Sequence, residues 1–405
     1  MSVAEVSRAG AAGMGVPTPT SGAVMTGRNI VCFANDWDAD PTSKHQVMKV
    51  LSRSNRVLWV NSIGLRRPDV SVEDASRILR KIRQWFSGPK RINDNMYAVT
   101  PLVIPWHQLA WVRRVNAWLA GWYVRAQARR LGMHGLQVWV ILPSAVPILP
   151  HLKPEKVVYY CVDEWSAFSF LDARAMRELE DRLLAEADMV FASAEELYRN
   201  KSPMNRRTYL VPHGVDSEHF CRARHVDTPL APELSDLPEP VIGFWGSIHD
   251  WIDLDVVKHM AIRHPEWSIV MVGKVDVDLG EVAALPNVHF TGGRSYGALP
   301  GFAKGFTAAI LPFKINRLTA SVNPIKLREY LAAGLPVVST PLPEVKAYEG
   351  LVRIGATPEE FVEQVEAAVK DTSEGAMKRR MDAISKDTWV ARVEYMSALV
   401  ESLYR

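Results

Sequence analysis

One segment in the C-terminal half of the chain combines residue types that can bind a diphosphate beside a diol. Asn323 is a good helix N-cap, and Pro324 suits the first helical position. The free N–H groups of such a helix attract an anion, and Lys326 in the first turn adds a full positive charge. Glu329 lies on the same face and can accept hydrogen bonds from vicinal hydroxyls. The segment predicts a ribose diphosphate site, although an ordinary capped helix with solvated side chains fits the spacing equally well.

Small residues after the first predicted strand of the C-terminal half could bring the backbone close to the same diphosphate. Gly246 and Ser247 directly follow an apolar run, as in nucleotide-binding folds. Any tight turn between a strand and a helix has a similar composition, so this signal is weak by itself. Lys274 follows the next such run and could reach the diphosphate, but a solvated lysine explains its position as well.

Carboxylates at strand ends in the N-terminal half are candidates for a general base. Asp163 follows the apolar run 157–161, and the carboxyl end of a parallel strand faces the ligand crevice in open α/β sheets. A carboxylate there can take the proton of an attacking hydroxyl. Asp163 could instead cap a helix or turn near Trp165. Asp36 and Asp38 are second candidates, and their loop could also line an acceptor site.

Metal sites are not expected from the sequence. Counted from Asp36, the acidic loop has Pro41 where a calcium loop needs glycine and Val47 where it needs glutamate. Asp276 and Asp278 form an acidic triplet that chance explains better than metal binding. The three cysteines are too widely spaced for zinc and indicate a reducing compartment. We therefore expect no metal and no bound cofactor.

A basic, aromatic insert occupies residues 65–132. It has 13 basic and 4 acidic residues, a net charge of +9, whereas the whole chain is only +3. The helix predicted at 106–131 carries a tryptophan stripe on one face, with arginines nearby. The residues assigned to this membrane or acceptor face are Trp111, Trp118, Trp122, Arg114 and Arg125. Such a helix could lie on an anionic bilayer; alternatively, the tryptophan stripe packs against the sheet.

The length and the alternation of elements predict two α/β domains. A chain of 405 residues is too long for one ordinary core. Short apolar runs alternate with amphipathic helical stretches in both halves, which is typical of parallel sheets covered by helices. The expected regions are a flexible extension 1–28, a Rossmann-like domain 29–212, a linker 213–240, a second Rossmann-like domain 241–385 and a final helix 386–405.

The N-terminal segment and the apolar runs of the chain predict the location of the protein. Residues 1–28 lack the apolar core of a signal peptide, and no stretch reaches about 18 uncharged apolar residues. These features predict a cytoplasmic protein, bound peripherally at the inner face of the cell membrane if the basic helix contacts lipid.

The segment around Lys326 resembles the nucleotide-sugar site of GT-B glycosyltransferases. The matching pattern is Pro324-x-Lys326-x-x-Glu329-Tyr330, followed by Ala333-Gly334-x-Pro336-Val337-Val338. Residues 211–216 are similar to the interdomain PNGVD turn of family 4-type enzymes, and residues 287–300 to their stretch beside the nucleobase. The resemblance covers about residue 29 to the end. It implies two Rossmann-like domains facing each other across a cleft, with the final helix crossing back to the first domain.

The resemblance also implies roles for individual residues. Lys326 and its helix N-terminus would neutralise the leaving diphosphate in place of a metal ion. Glu329 would bind the ribose, while Arg294 and Tyr296 would lie near the base, with a UDP-sugar favoured over a GDP-sugar. Ser321 replaces the first glutamate of the family's E-x7-E motif, which helps to hold the sugar in retaining enzymes, so the stereochemistry stays open. The other residues assigned to the donor site are Asn323, Gly246, Ser247 and Lys274.

The resulting prediction is a metal-independent glycosyltransferase that moves a sugar from a nucleotide-diphosphate sugar to a hydroxyl acceptor. The Pro-x-Lys pattern is similar to bacterial exopolysaccharide and teichuronic-acid-type transferases. The basic insert favours a polyprenyl-linked or polysaccharide acceptor of an envelope pathway, and nucleic acid is not an expected partner. Two alternatives stay open: a nucleotide-sugar 2-epimerase on the same fold, and a non-catalytic membrane-associated binding protein with a degenerate site.

Overall fold

The computed structural model describes residues 22–62, 85, 88–104 and 109–405 of the chain. These residues form two compact units. The N-terminal unit contains the described residues up to 212 together with 392–405, and the C-terminal unit contains residues 213–391. Most of the predicted extension 1–28 and parts of the basic insert 65–132 lie outside the described residues.

The N-terminal unit is built on an eight-stranded sheet. Its strands are β1 (Asn29–Phe33), β2 (Arg56–Val60), β3 (Lys90–Arg91), β4 (Met96–Val99), β5 (Leu136–Val140), β6 (Lys156–Cys161), β7 (Met189–Ala192) and β8 (Thr208–Leu210). They are ordered β3-β4-β2-β1-β5-β6-β7-β8, and every neighbouring pair is parallel except β3 with β4. The inner strands are buried apolar runs, because helices cover both faces of a parallel sheet.

Helices of the N-terminal unit connect these strands. They are α1 (Ser43–Leu51), α2 (Ala110–Arg130), α3 (Leu149–Leu152), α4 (Ala173–Glu186) and α5 (Glu195–Lys201). Asp172 begins α4 by accepting hydrogen bonds from the backbone N–H groups of Arg174 and Ala175, both at 3.0 Å. None of the described helices combines the length and the apolar character that spanning a bilayer requires.

The C-terminal unit has a second, entirely parallel sheet. Its strands are β9 (Val241–Trp245), β10 (Ser268–Val272), β11 (Val288–Gly292), β12 (Ala308–Leu311), β13 (Val337–Ser339) and β14 (Val352–Ile354). Their order β11-β10-β9-β12-β13-β14 is that of a dinucleotide-binding sheet, in which ligands bind at the carboxyl ends of the two central strands, where the strand order reverses. Those strands are β9 and β12. Gly246 directly follows β9, whereas Lys326 follows β12 only after the short helix Arg317–Ala320, so its helix does not begin just after the strand.

The remaining helices lie after the first unit in the sequence. They are α6 (Ser217–Cys221), α7 (Leu254–Arg263), α8 (Leu299–Gly305), α9 (Arg317–Ala320), α10 (Ile325–Ala332), α11 (Pro358–Val369), α12 (Glu374–Ile384) and α13 (Trp389–Glu401). α13 begins in the C-terminal unit, but residues from 392 onward belong to the N-terminal unit. There Arg28 forms an ion pair with Glu401 at 2.8 Å.

Residues 213–240 are not the linker that their composition predicts. They belong to the C-terminal unit and contain α6. Phe220 and Leu234 are buried in the core of that unit. The prolines interrupt the pattern of apolar residues that would predict helices here. A few apolar side chains nevertheless pack this stretch onto the core of the C-terminal unit.

The tryptophan stripe of α2 faces outward, so the expectation that it packs against the sheet is wrong. The exposed fractions of Trp111, Trp118 and Trp122 are 61%, 55% and 58%. The opposite face carries the buried contacts, including Val112 and Val124. Small and β-branched residues let this face pack closely on its neighbours, which leaves the large aromatic rings on the surface.

We predict that Gly243→Ala destabilises the C-terminal unit. An added Cβ would lie 1.9 Å from the ring of Phe306, so β9 and this ring would have to separate. The expected loss is about 1–3 kcal/mol of unfolding free energy, measured by denaturant titration. Gly293→Ala is the matched control, because nothing lies within 4 Å of its added Cβ. Equal effects of the two substitutions would contradict the packing role of Gly243.

Candidate functional site

Lys326 lies in the first turn of α10, close to the end of β9. The helix begins at Ile325 and its N-cap residue is Pro324, so the prediction that Asn323 is the N-cap is wrong. Asn323 is buried and instead donates from Nδ2 to Glu344 Oε2 at 2.6 Å, while its Oδ1 accepts from Arg328. Asn323 therefore fixes the approach to the helix through side chains, and the first N–H groups of α10 receive no side-chain cap.

Gly246 allows Lys326 to approach the backbone at the end of β9. Its φ of 137° belongs to a conformation that side-chain-bearing residues rarely adopt. A Cβ at this position would lie 1.9 Å from Cε and 2.7 Å from Nζ of Lys326. The Gly246 N–H donates to the Val272 carbonyl at 2.8 Å, and Gly273 is packed just as closely on the Gly246 carbonyl. Lys326 and the turn at Gly246 thus form a cationic surface at the carboxyl ends of the strands.

Glu329 is 8% exposed and is held in place by an aromatic side chain. Trp245 donates from Nε1 to Glu329 Oε2 at 2.8 Å, and the Trp245 backbone N–H donates to the Tyr330 hydroxyl at 3.0 Å. Burial raises the pKa of Glu329, and the Trp245 hydrogen bond and the charge of Lys326 oppose that rise. The second oxygen, Oε1, receives no hydrogen bond from a described residue and can accept one from a hydroxyl.

Aromatic rings extend this site, and one of them, Tyr296, is a residue that the resemblance places near the base. His219 stacks on Tyr296 with ring centroids 4.4 Å apart, and its Nε2 lies 2.9 Å from the Tyr296 carbonyl oxygen. Phe220 stacks on Trp245 at 5.8 Å. Asp216 caps α6 by accepting from the His219 backbone N–H at 3.1 Å. The motif at 211–216 was a sequence signal for Asp216, but stacking by His219 and hydrogen bonding by Trp245 depend on tertiary contacts.

Two other predicted donor residues, Arg294 and Lys274, are each paired with a carboxylate. Arg294 donates from Nε to Glu233 at 2.5 Å, and this hydrogen bond is the main cause of the lowered pKa of Glu233. Lys274 is paired with Asp276 at 2.6 Å, which also accounts for one aspartate of the acidic triplet. Ser247 is exposed, and Ser321 is buried at the end of α9. The structure brings together Lys326, Glu329 and Gly246, with Trp245 added.

Asp163 follows β6 at the carboxyl edge of the N-terminal sheet. Glu164, not Asp163, is the N-cap residue of the short turn Trp165–Ala167. Asp163 interacts electrostatically with Lys44, a side chain that is 8% exposed and whose pKa is lowered mainly by burial. A carboxylate at this position can accept the proton of an attacking hydroxyl.

The loop that carries Asp163 is fixed by a buried ion cluster. Lys201 donates to Glu164 at 3.1 Å and to Glu180 at 2.8 Å, and all three side chains are at most 8% exposed. The Tyr159 hydroxyl donates to Glu180 and the Ser166 hydroxyl to Glu164, both at 2.6 Å. Buried charges with this many hydrogen bonds allow little displacement of the strand end.

Asp36 and Asp38 lie after β1, at the same edge of the sheet, but both are engaged. Asp36 Oδ1 accepts from the Ser62 backbone N–H at 3.0 Å. Asp38 forms an exposed ion pair with Lys90 at 2.7 Å. Their contacts stabilise the loop, whereas Asp163 has the buried lysine beside it. In the described part of the chain, no three His, Cys, Asp or Glu side chains are grouped as metal ligands.

Part of the C-terminal unit matches a known family. Residues 239–371 match the family model described as glycosyl transferases group 1. A protein of Bacillus subtilis (strain 168) named "Putative teichuronic acid biosynthesis glycosyltransferase TuaH" is 29% identical over 223 residues, which cover 51% of this chain and 55% of that protein. The chain thus spans about half the length of the curated relative that it matches.

Solved structures share the architecture of both units. Sucrose-phosphate synthase from Thermosynechococcus elongatus has a TM-score of 0.69 and 13% identity, covering 93% of this chain and 99% of that chain. Anabaena HepE in complex with UDP and glucose has a TM-score of 0.61 and 14% identity, covering 93% and 100%. The likeness shows a GT-B fold, which confirms the fold class predicted from the sequence.

The raised pKa of Glu329 predicts a pH dependence of stability. A carboxyl group whose pKa rises on folding stabilises the fold fully below its unfolded pKa, near 4.5, and that contribution is lost as pH rises through the folded pKa. We expect the unfolding free energy of the wild type to fall with increasing pH above about 4.5, relative to that of Glu329→Gln. The measurement is denaturant unfolding at several pH values. Glu363→Gln, on an exposed position, is the control; a wild-type curve parallel to that of Glu329→Gln would refute the prediction.

Proposed function

We propose that this chain, which has the GT-B fold and carries a group 1 glycosyltransferase domain at residues 239–371, transfers a sugar from a nucleotide-diphosphate sugar to a hydroxyl acceptor in polysaccharide biosynthesis. The observation that carries this proposal is the grouping of Lys326, Gly246 and Glu329 at the reversal point of the C-terminal sheet. A cation, uncapped helix N–H groups and an oriented carboxylate match the diphosphate and the ribose of such a donor.

Charge on the leaving group is the main demand of the reaction. When the bond between the sugar and the diphosphate breaks, negative charge builds on the diphosphate oxygen. Lys326 and the N-terminus of α10 neutralise that charge in a fixed geometry, which lowers the barrier more than solvent could. This positive charge comes from the protein itself, and we therefore propose transfer that does not depend on a metal ion.

Asp163 is the proposed general base. The acceptor oxygen forms the new bond to the sugar carbon, its proton passes to the Asp163 carboxylate, and the nucleoside diphosphate departs with the bonding electrons. Lys44 interacts electrostatically with this carboxylate, and the Lys201 cluster fixes the loop that carries it. Asp36 and Asp38 are the alternative bases at the same edge of the sheet; Asp36 accepts from the Ser62 backbone N–H and Asp38 forms an exposed ion pair with Lys90.

The acceptor and the donor base are proposed from two further observations. The relative named for teichuronic acid biosynthesis and the exposed tryptophans of α2 support a lipid-linked glycan acceptor and peripheral attachment to an anionic membrane. HepE, whose structure holds UDP and glucose, supports a UDP-sugar as the donor.

Lys326→Ala tests the donor site. We expect turnover to fall by about 10²–10³-fold while the fold is kept, because the leaving group loses its main cation. Transfer is measured with UDP-sugars and a membrane lipid fraction as acceptor, with and without a chelator. Lys378→Ala, on the exposed face of α12, is the control and should keep full activity. Unchanged turnover in the Lys326 variant would reject the site, and loss of wild-type activity in the chelator would reject metal independence.

Incubation with the donor alone separates the remaining functions. A transferase is expected to consume UDP-sugar only when an acceptor is present, apart from slow hydrolysis. Rapid acceptor-free conversion to an epimeric sugar or to UDP would instead identify a 2-epimerase. Donor binding by calorimetry, without any turnover in either condition, would identify a non-catalytic binding protein.

A further inference from the structure

The C-terminal half of α2 and the neighbouring α3 form a cationic pocket beside the tryptophan stripe. Two adjoining depressions, with cavity volumes of about 280 and 310 Å³, share Arg125, Arg129 and Lys153 in their walls. Trp118 and Trp122 line the second depression. Glu155 is the one carboxylate among the lining residues, so the pocket keeps a net positive charge.

Close packing of the two helices brings these cations together. A Cβ at Gly121 would lie 2.4 Å from Cβ of His151, so the glycine lets α3 approach the backbone of α2. Lys153 ends α3 with a φ of 52°, a left-handed conformation that is uncommon for a residue with a side chain. The position of the lysine is therefore set by the fold rather than by a flexible surface loop.

In the part of the chain that the structure describes, the three cations form no ion pair of the kind seen on α4 and α5. Among the described residues, no carboxylate forms an ion pair with Arg125, Arg129 or Lys153. By contrast, the exposed arginines of α4 pair along the helix, as in Arg174–Glu178. α2 has no acidic residue at all along its 21 positions. The unmatched charge calls for an anion from outside the unit.

We infer that this pocket binds the phosphate of an anionic phospholipid headgroup, an inference that rests on the membrane attachment proposed above. A soluble phosphate would need the cations only. The adjacent rings of Trp118 and Trp122 are more than half exposed, and an indole at such a position favours the headgroup level of a bilayer. A phospholipid is the ligand that can contact both the cations and the tryptophan rings.

The position of the pocket assigns it to anchoring and not to the reacting acceptor. α2 begins after β4, near the carboxyl edge of the sheet, and ends before β5, at the amino edge. Arg129 lies about 27 Å along the helix from Trp111, at 1.5 Å per residue. Asp163 lies at the carboxyl edge, so the bound phosphate is at the opposite end of the unit from the proposed base.

Vesicle sedimentation of the full chain tests this inference. The probes are phosphatidylcholine vesicles with and without phosphatidylglycerol. The variant Arg125→Gln/Arg129→Gln/Lys153→Gln should bind the anionic vesicles about 100-fold more weakly, at about 1 kcal/mol for each cation near the surface. The control Arg174→Gln/Arg182→Gln/Arg199→Gln removes the same charge from exposed, paired positions of the same unit and should bind within about twofold of the wild type.

The vesicle experiment distinguishes a specific lipid site from general charge attraction and from a site for soluble anions. Equal losses in the two triple variants would overturn the pocket and leave only net charge as the attraction. Displacement of the protein from vesicles by millimolar inorganic phosphate would identify a soluble-anion site instead. Trp118→Ser/Trp122→Ser should also weaken binding to the anionic vesicles, because the rings contact the bilayer beside the cations; unchanged binding in this variant would contradict a lipid ligand. UDP-sugar binding without vesicles is measured in parallel, so that a protein that binds lipid but no donor refutes the proposed function and not the pocket.

Discussion

The close approach of Lys326 to the backbone of Gly246 is the contact on which the C-terminal unit depends. The glycine ends β9 where the strand order of the sheet reverses, and it leaves the space that the lysine stem fills. Trp245, one residue earlier, reaches across 84 positions of sequence to hold Glu329. The turn at Trp245 and Gly246 therefore fixes both Lys326 and Glu329. Any side chain at position 246 would push Lys326 away from Glu329.

Much of this arrangement was predictable because the signals are local. Apolar runs such as Val241–Trp245 and Ser268–Val272 predicted the strands with the bounds that the structure shows. Of the short strands, β12 and β13 were predicted because all their residues are apolar or buried, whereas the exposed β3 and the partly buried β14 were missed because they have no continuous apolar run. The role of Asn323 was mistaken because a good capping residue can also serve as a side-chain bridge, and the bridge to Glu344 depends on tertiary packing. The Trp245–Glu329 hydrogen bond was not predicted either, because it also depends on tertiary packing.

The N-terminal unit separates two tasks along its strands. Its carboxyl edge holds Asp163 and a network of buried charges, where small displacements are costly. Its amino edge holds Arg125, Arg129 and Lys153 next to exposed rings, and no carboxylate of the described residues forms an ion pair with them. The sequence predicted an acidic residue at the carboxyl edge and a basic, aromatic helix. It could not distinguish a tryptophan stripe that packs inward from one that faces out, since both have the same helical spacing.

The outward face of α2 also sets an orientation. Trp111 and Trp122 are about 16 Å apart along the helix, so all three rings can meet one flat surface only when the helix axis lies parallel to it. The helix runs between the two edges of the sheet, antiparallel to the strands on which it packs. On a bilayer, the strands would then lie flat as well, and their carboxyl ends would open sideways along the membrane. A lipid-linked substrate would approach by lateral diffusion in two dimensions, without having to leave the bilayer.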